Sequence, residues 1–345
     1  MRAVTVASGG VEVRTHPDPL PGTGEVLVAV RSAGVNNADL LQAAGRYPAP
    51  PGSPPRIPGM ELAGRVVAVG PGASRFAAGD PVMAVVGGGA QAELCTVHER
   101  LAMPVPAALP LDVAGAFPEA FTTAHDALFT QCRLAVGEAV LVSGAAGGVG
   151  TAGVQLAVAA GARVTATVRD PALRPSVAAL GATVLGPSEL AGAGPFDVVL
   201  ELVGAPNLAD DLAALATGGR IAVIGVGAGS RAEVDLRVVM DRRATISGST
   251  LRPRSLEAKA DAARRVEAQV LPLVAAGAIT VPVAARFGLD QVAEAYQRFR
   301  AGRKFGKVVL DVGDQAFPPH VTRTGPDSDT EPVSNSGPEH GRGRG

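Results

Sequence analysis

The chain has no tryptophan, 3% aromatic residues and two cysteines in 345 residues. With aromatics this scarce, valine, alanine and leucine must fill the core, and at 47% hydrophobic residues a sizeable core is within reach. Cys95 and Cys132 stand apart, outside any C-x-x-C pair, which excludes a disulfide framework and a four-cysteine zinc site. An excess of either charge is missing too. The 31 basic and 32 acidic residues leave a net charge of −1, with no electrostatic case for nucleic acid or an anionic membrane surface. No apolar run reaches the ~18 residues of a membrane span. The segment Met1-Arg2-Ala3-Val4-Thr5-Val6 lacks the charged-then-apolar order of a secretory signal. The expectation is a cytoplasmic protein of two domains plus an extension.

What is present divides by texture. Val4 to Val13 reads as two short strands, Glu25 to Ala33 as a third. Val66–Val69, Pro81–Val86 and Ala92–Val97 are further short apolar runs bounded by Gly, Pro and Asp. Such spacing predicts an irregular, mostly antiparallel β domain, interrupted by a Pro-rich loop or lid from Tyr47 to Pro58. Asp112 to Leu134 reads as helix, with Asp112 as N-cap and a break at Pro118. Strand and helix patterns then alternate from Ala139 to Ser249, and the strands are continuous Val/Ile/Leu/Ala runs, as a sheet covered on both faces requires. The class is α/β, built on a doubly wound parallel Rossmann sheet. Ser255 to Ala276 reads as one long helix, Gln291 to Arg300 as a short one, and Lys307 to Val312 as a last strand. That strand would close a discontinuous β domain made of residues 1–118 and 279–312 around a nucleotide domain at 119–278. From Gly313 to Gly345 apolar residues nearly vanish, as in a disordered tail.

One stretch carries the chemistry. The apolar run Ala139–Ser143 feeds a glycine turn, Gly144-Ala145-Ala146-Gly147-Gly148-Val149-Gly150, and a helix pattern follows at once. A turn of this kind lets backbone approach a pyrophosphate while the helix N-terminus offers free N–H groups and a positive dipole end. Ala145, Gly147, Gly148, Val149 and Gly150 are the cofactor candidates there. At the end of the next strand, where an NAD site places a carboxylate, stands Arg169, with Arg174 a helical turn later and Asp170 between. Guanidinium groups suit a 2′-phosphate, so the cofactor expected is NADPH rather than NADH. Zinc ligands are lacking. Gly59-Met60-Glu61 lies where a Gly-His-Glu motif would be, Asn36-Asn37 stands in place of an early cysteine, and none of the five histidines falls in a ligand cluster.

The stretch from Asn36 through Asp39, Gln42, Gly45 and Tyr47 to Pro50-Pro51-Gly52-Ser53 fits the pattern N-x-A-D-L-x-Q-x-x-G-x-Y-x-x-P-P-G-x. Gly59-Met60-Glu61-Leu62-Ala63-Gly64 fits G-x-E-x-x-G, Pro118 to Ala124 fits P-E-A-[WF]-x-T-A, and Gly306 to Leu310 fits G-K-[IV]-V-L. In combination the chain resembles the zinc-free, zeta-crystallin-like quinone oxidoreductases of the medium-chain dehydrogenase/reductase superfamily, and among them the tumour-suppressor-inducible subgroup. The resemblance implies a GroES-like β domain, NADPH in the cleft between domains, and hydride transfer to a quinone or activated enone or carbonyl acceptor. By carry-over, Asn36 and Tyr47 would line the pocket beside the nicotinamide. Tyr47 would either supply a proton or pack as a rigid lid, and Asn36 would serve the pocket or cap its own turn. Gly204, Gly225, Val226, Gly227, Phe305, Gly306 and Lys307 would contact the cofactor. Relatives often carry a lysine where this chain has Pro171-Ala172-Leu173, so the phosphate reading rests on Arg169 and Arg174. The resemblance also implies a homodimer paired through Arg243–Thr250. The alternatives are a 2-enoyl thioester reductase, for which the basic clusters are confined to Arg242-Arg243 and Arg252-Pro253-Arg254, and a redox-silent NADPH-binding scaffold or sensor.

Overall fold

Alternating strand and helix patterns in the middle of the chain, and turn-rich strands before and after it, sort into two large sheets, with the first two strands paired apart as an antiparallel hairpin. The computed structural model describes residues 1–7 and 10–314. The strands, in chain order, are β1 (Arg2–Ala7), β2 (Gly10–Thr15), β3 (Glu25–Val35), β4 (Glu61–Val69), β5 (Pro81–Val85), β6 (Leu94–His98), β7 (Ala102–Pro104), β8 (Ala139–Ser143), β9 (Arg163–Thr167), β10 (Thr183–Leu185), β11 (Phe196–Glu201), β12 (Leu215–Val223), β13 (Thr245–Gly248), β14 (Val283–Gly288) and β15 (Lys307–Asp311). β8 to β13 form a six-stranded sheet in the order β10-β9-β8-β11-β12-β13, every pair parallel. This is the Rossmann order, with its topological switch point between β8 and β11.

The continuous apolar runs have a direct cause. Along β8, Val140 and Val142 pack on one face with Phe121, Ala152 and Leu156, while Leu141 packs on the other with Val199, Leu215 and Ile221. Successive residues on a strand point to opposite faces, so a sheet covered twice needs both sets apolar. Each fully buried Val or Leu here contributes about 1.5–3 kcal/mol.

The second sheet has seven strands in the path β14-β15-β3-β4-β5-β7, with β6 also on β3. β15 runs antiparallel to β3, with Val308 opposite Val35 and Asp311 opposite Ser32, so the last strand sits inside a sheet begun by residue 25. Its β14·β15 pair is parallel, against an otherwise antiparallel ladder. The connection from Gly306 to Lys307 also touches the nucleotide turn, where Gly306 bridges Gly147 and donates to Ala146 O at 2.8 Å.

Several sequence expectations change in detail. The helix expected over Ser255–Ala276 is two, Leu256–Gln269 and Leu271–Ala275, because Pro272 has no N–H to give and its ring clashes with the carbonyl four residues back. Asp112 is not an N-cap. Pro110 holds that position, and Asp112 pairs with Arg286 from the first turn. The segment after Pro118 is an α-helix to His125 and then a π-helical turn, Asp126–Gln131. Short helices at Asn37–Ala43 and Leu236–Arg242, and the strand β14, were not legible from pattern. The tail expected from Gly313 lies, from residue 315 on, outside the described residues.

Candidate active site

A parallel sheet binds ligands beyond the carboxyl ends of its strands, at the switch point. Here four successive strand ends open into one cleft of about 810 Å³. The turn after β8 gives Gly144, Gly147, Gly148, Val149 and Gly150, and β11 gives Leu202. β12 gives Ile224 to Gly227, and β13 gives Ser249 to Arg252. The facing wall joins Asn36, Tyr47, Met60, Lys304, Gly306 and Lys307, from the other sheet and its connections, to Glu119 and Thr123 of the helix Pro118–His125.

The turn is shaped for close approach. A Cβ on Gly150 would lie 2.6 Å from the Ala145 Cα, which leaves no space for a side chain, and one on Gly148 would run into Cδ of Lys307, a side chain held in place by Glu61. Gly147 differs, since its nearest neighbour would be 4.0 Å away. Nothing in the chain itself requires a glycine at 147, and a group entering from the cleft accounts for it. Helix Gly148–Ala159 begins here, with Thr151 N donating to Gly147 O as its first turn and the preceding amides facing the cleft. These residues fit a pyrophosphate.

Not every expected cofactor residue reaches the cleft. Ala145 is fully buried and donates its N–H to Thr167 O. Gly204, with φ of 115°, sits behind β11 with its N–H held by Glu201 at 2.6 Å. Phe305 packs against the core. Arg174 is spent on Val168 O and Glu189. Arg169 is exposed and is not among the cleft-lining residues; it precedes Asp170, whose carboxylate caps Ala172 N at 3.1 Å and lies 3.9 Å from Arg303. Lys304, next to Arg303, does line the cleft, and burial, with Lys307 and Arg298 nearby, pushes its ammonium down to about 8.

The facing wall is organised by a buried ion pair. Lys307 enters from β15 and reaches Glu61 Oε1 and Asn36 Oδ1, both at 2.5 Å. Asn36 Nδ2 donates to the same Glu61 oxygen at 2.8 Å, and Glu119 N donates to its other oxygen at 2.8 Å. Glu61 is fully buried and Lys307 nearly so. Asn36 thus faces the cleft, but both ends of its amide are committed to this pair. Lys307 was expected at the cofactor; its ammonium is instead tied to Glu61. Beside it Asp39 accepts from Asn36 N, Gly59 N and Gln91 Nε2, and burial pushes its carboxyl up to about 7.

Glu119 is the second carboxyl of the wall. Burial raises its pKa above the ordinary range, Lys307 and the Thr123 hydroxyl oppose that, and Glu61 adds to it. Tyr47 stands across from it, half-buried, with the Arg252 guanidinium 5.0 Å from its ring centre. Arg252 itself is buried and donates to Gly87 O, Tyr47 O and Gln42 Oε1, pinning the Pro-rich loop against the nucleotide domain. Glu61, Glu119, Arg252 and Lys304 were missed as site residues. A signal existed for the two acids: each interrupts an apolar run, Met60-Glu61-Leu62-Ala63 and Pro118-Glu119-Ala120-Phe121, where a charge must find a partner or a purpose.

Zinc needs thiolate or imidazole donors in tetrahedral reach. The cleft lining contains neither cysteine nor histidine. Burial pushes the thiols of Cys95 and Cys132 up to about 12 and about 11, away from the thiolate form. Among the described residues no three His, Cys, Asp or Glu side chains gather as a metal site, and no helix is long and apolar enough to cross a membrane. The donor set of this cleft does not fit zinc.

Comparison with known proteins matches residues 22–107 to the alcohol dehydrogenase GroES-like domain and residues 181–310 to the zinc-binding dehydrogenase family. Quinone oxidoreductase of Rattus norvegicus is 32% identical over 328 residues, covering 90% of this chain and 97% of that protein. Erythronolide synthase EryA2 of Saccharopolyspora erythraea is 36% identical over 300 residues, of which the chain spans only 8% of that protein's length. A mycobacterial protein solved in complex with NADPH superposes with a TM-score of 0.80 at 29% identity, covering 90% of this chain and 99% of that one.

Proposed function

This chain belongs to the medium-chain dehydrogenase/reductase superfamily and is a pyridine-nucleotide oxidoreductase, and on that premise we propose that it uses NADPH, without zinc, to reduce a quinone or an activated enone or carbonyl. One observation carries the reading. A glycine turn built for a pyrophosphate opens into the same cleft as a wall of polar side chains from the other sheet and the helix Pro118–His125. NADPH then lies along the strand ends, its pyrophosphate on Gly147–Gly150 and its nicotinamide toward Asn36 and Tyr47. When bound, the cofactor supplies a hydride; the chain holds both partners close and dry and manages the proton.

Preference for the phosphorylated cofactor is supported at the end of β9. The carboxylate there, on Asp170, is already engaged with Ala172 N and lies 3.9 Å from Arg303; Arg169 precedes it in the chain, and Lys304, next after Arg303, lines the cleft. Three cations and an occupied acid suit a 2′-phosphate better than a ribose hydroxyl. The similarity to a stretch of erythronolide synthase favours a 2-enoyl thioester as the second acceptor class. A homodimer is proposed as well. β13 is the unpaired edge of its sheet, with Ile246 on it and Leu236 and Met240 of the adjacent helix exposed, and an apolar edge of that kind requires a cover.

Oxidation of NADPH followed with 1,2-naphthoquinone and with crotonyl-CoA tests the assignment. Turnover with the quinone supports it, turnover with the thioester alone transfers it to the second reading, and tight binding without turnover of either refutes both. A size-exclusion mass of one chain would refute the dimer.

A further inference from the structure

We propose that Glu119 is the proton donor of this cleft, passing a carboxylic-acid proton to the acceptor oxygen that turns negative as hydride arrives. The proposal rests on the acceptor reading above. Its geometric basis is independent of that reading, in the unequal surroundings of two neighbouring carboxyls.

Glu61 is closed on all sides. Lys307 and Asn36 Nδ2 hold one oxygen, and Glu119 N holds the other. It has no room for an acceptor. Glu119 sits one step outward, on the cleft surface, where Thr123 Oγ1 donates to its Oε1 at 3.2 Å. Among the described residues no side-chain cation binds it directly, because Lys307 is spent on Glu61 and Asn36. Two acids beside one lysine cannot share it equally, and the one without it is the one driven to keep a proton. Burial raises Glu119 accordingly. The charged groups facing it are Glu61 from β4 and Lys307 from β15, with Asp39 behind them on helix Asn37–Ala43.

The step balances. The acceptor gains a hydride from the bound reduced nicotinamide, its C=C or C=O π pair moves onto oxygen, and that oxygen takes the Glu119 proton. The remaining carboxylate keeps the Thr123 hydrogen bond and the field of Lys307, and water entering the cleft reprotonates it. An acid inside the site explains how a carbonyl or enone could be served without a metal to hold the oxyanion.

The test combines a spectrum with kinetics. The infrared difference between ligand-free wild type and Glu119→Gln at neutral pH is expected to show the carbonyl band of a protonated carboxyl, present only in wild type. Its absence overturns the proposal. With an enone acceptor, Glu119→Gln is expected to lose about 100-fold in kcat, with KM and the NADPH Kd within about twofold. The alkaline fall of the kcat profile should vanish with it. Thr123→Val removes the hydrogen bond that favours the ionised acid, so its alkaline limb should move to higher pH; an unmoved limb contradicts the assignment, and this variant serves if Glu119→Gln does not fold. Undiminished turnover in Glu119→Gln overturns this role alone. A wild type that reduces neither acceptor takes down the function proposed above and this role together.

Discussion

The two walls of the cleft are built by opposite means. On the nucleotide wall the contacts are backbone: Gly147 to Gly150 and Gly225 to Gly227 stand at strand ends, supported by sheet faces of Val, Leu and Ala. On the acceptor wall they come from four distant segments, Asn36, Glu61, Glu119 and Lys307, joined by one ion pair and by hydrogen bonds to Glu61 from the Asn36 amide and the Glu119 backbone. A backbone wall can hold a large, repeatedly used ligand with little chemistry of its own. The polar wall is costly to bury, and the mutual bonds of Glu61, Lys307 and Asn36 offset that cost. The difference teaches where mutational sensitivity should lie, and of what kind.

The strongest way to break the contrast is Lys307→Met. Removing the cation leaves Glu61 buried and unpaired, at a cost of about 3–5 kcal/mol in chemical unfolding. The double variant Glu61→Gln/Lys307→Met should recover most of that loss, and a purely additive double variant would deny the coupling.

The next effect is a pH dependence. The folded chain holds Asp39 protonated up to about 7, whereas the unfolded chain releases that proton near the ordinary value of 3.8. The raised folded value means that the contribution is complete below about pH 4 and is lost as pH rises through about 7, by roughly 2–4 kcal/mol. Unfolding midpoints at about pH 5 and about pH 8 should fall in wild type and flatten in Asp39→Asn.

Gly150→Val attacks the other wall. A side chain there drives into the Ala145 backbone at 2.6 Å, and NADPH affinity should drop by about 100-fold or more in a fluorescence titration. Arg169→Ala and Lys304→Ala should each weaken NADPH by about tenfold while leaving NADH within about twofold, since one charge–phosphate contact is worth roughly 1–2 kcal/mol. Equal losses for both cofactors would remove the phosphate reading. Smallest of all, Tyr47→Phe should change kcat by no more than about threefold if Glu119 gives the proton. A loss of about 100-fold would move that role to the phenol.

The same contrast decides what the sequence could reveal. The turn at Gly144–Gly150 is contiguous, so strand, glycines and helix announce it together, and the Rossmann order follows from the runs behind it. The acidic wall is scattered over more than 270 positions, from Asn36 to Lys307, and the pairing of β3 with both β15 and β4, with the helix Pro118–His125 against them, brings its members together. Asn36 and Lys307 were legible as belonging to the site, but their atoms serve Glu61, a partner no local pattern shows. Arg174 illustrates the reverse error. Its position about a helical turn beyond Arg169 suited a phosphate, yet its guanidinium is held by Val168 O and Glu189. Side-chain commitment is a tertiary fact, and spacing alone does not carry it.

The division of labour between the walls is open to one direct measurement, amide hydrogen exchange of the full chain with and without saturating NADPH. Exchange is expected to slow at Gly147–Thr151 and Ile224–Gly227, with the amides around Glu61 already slow in the free protein and unchanged on binding. Exchange that slows around Glu61 and Glu119 while the glycine turn stays fast would contradict it.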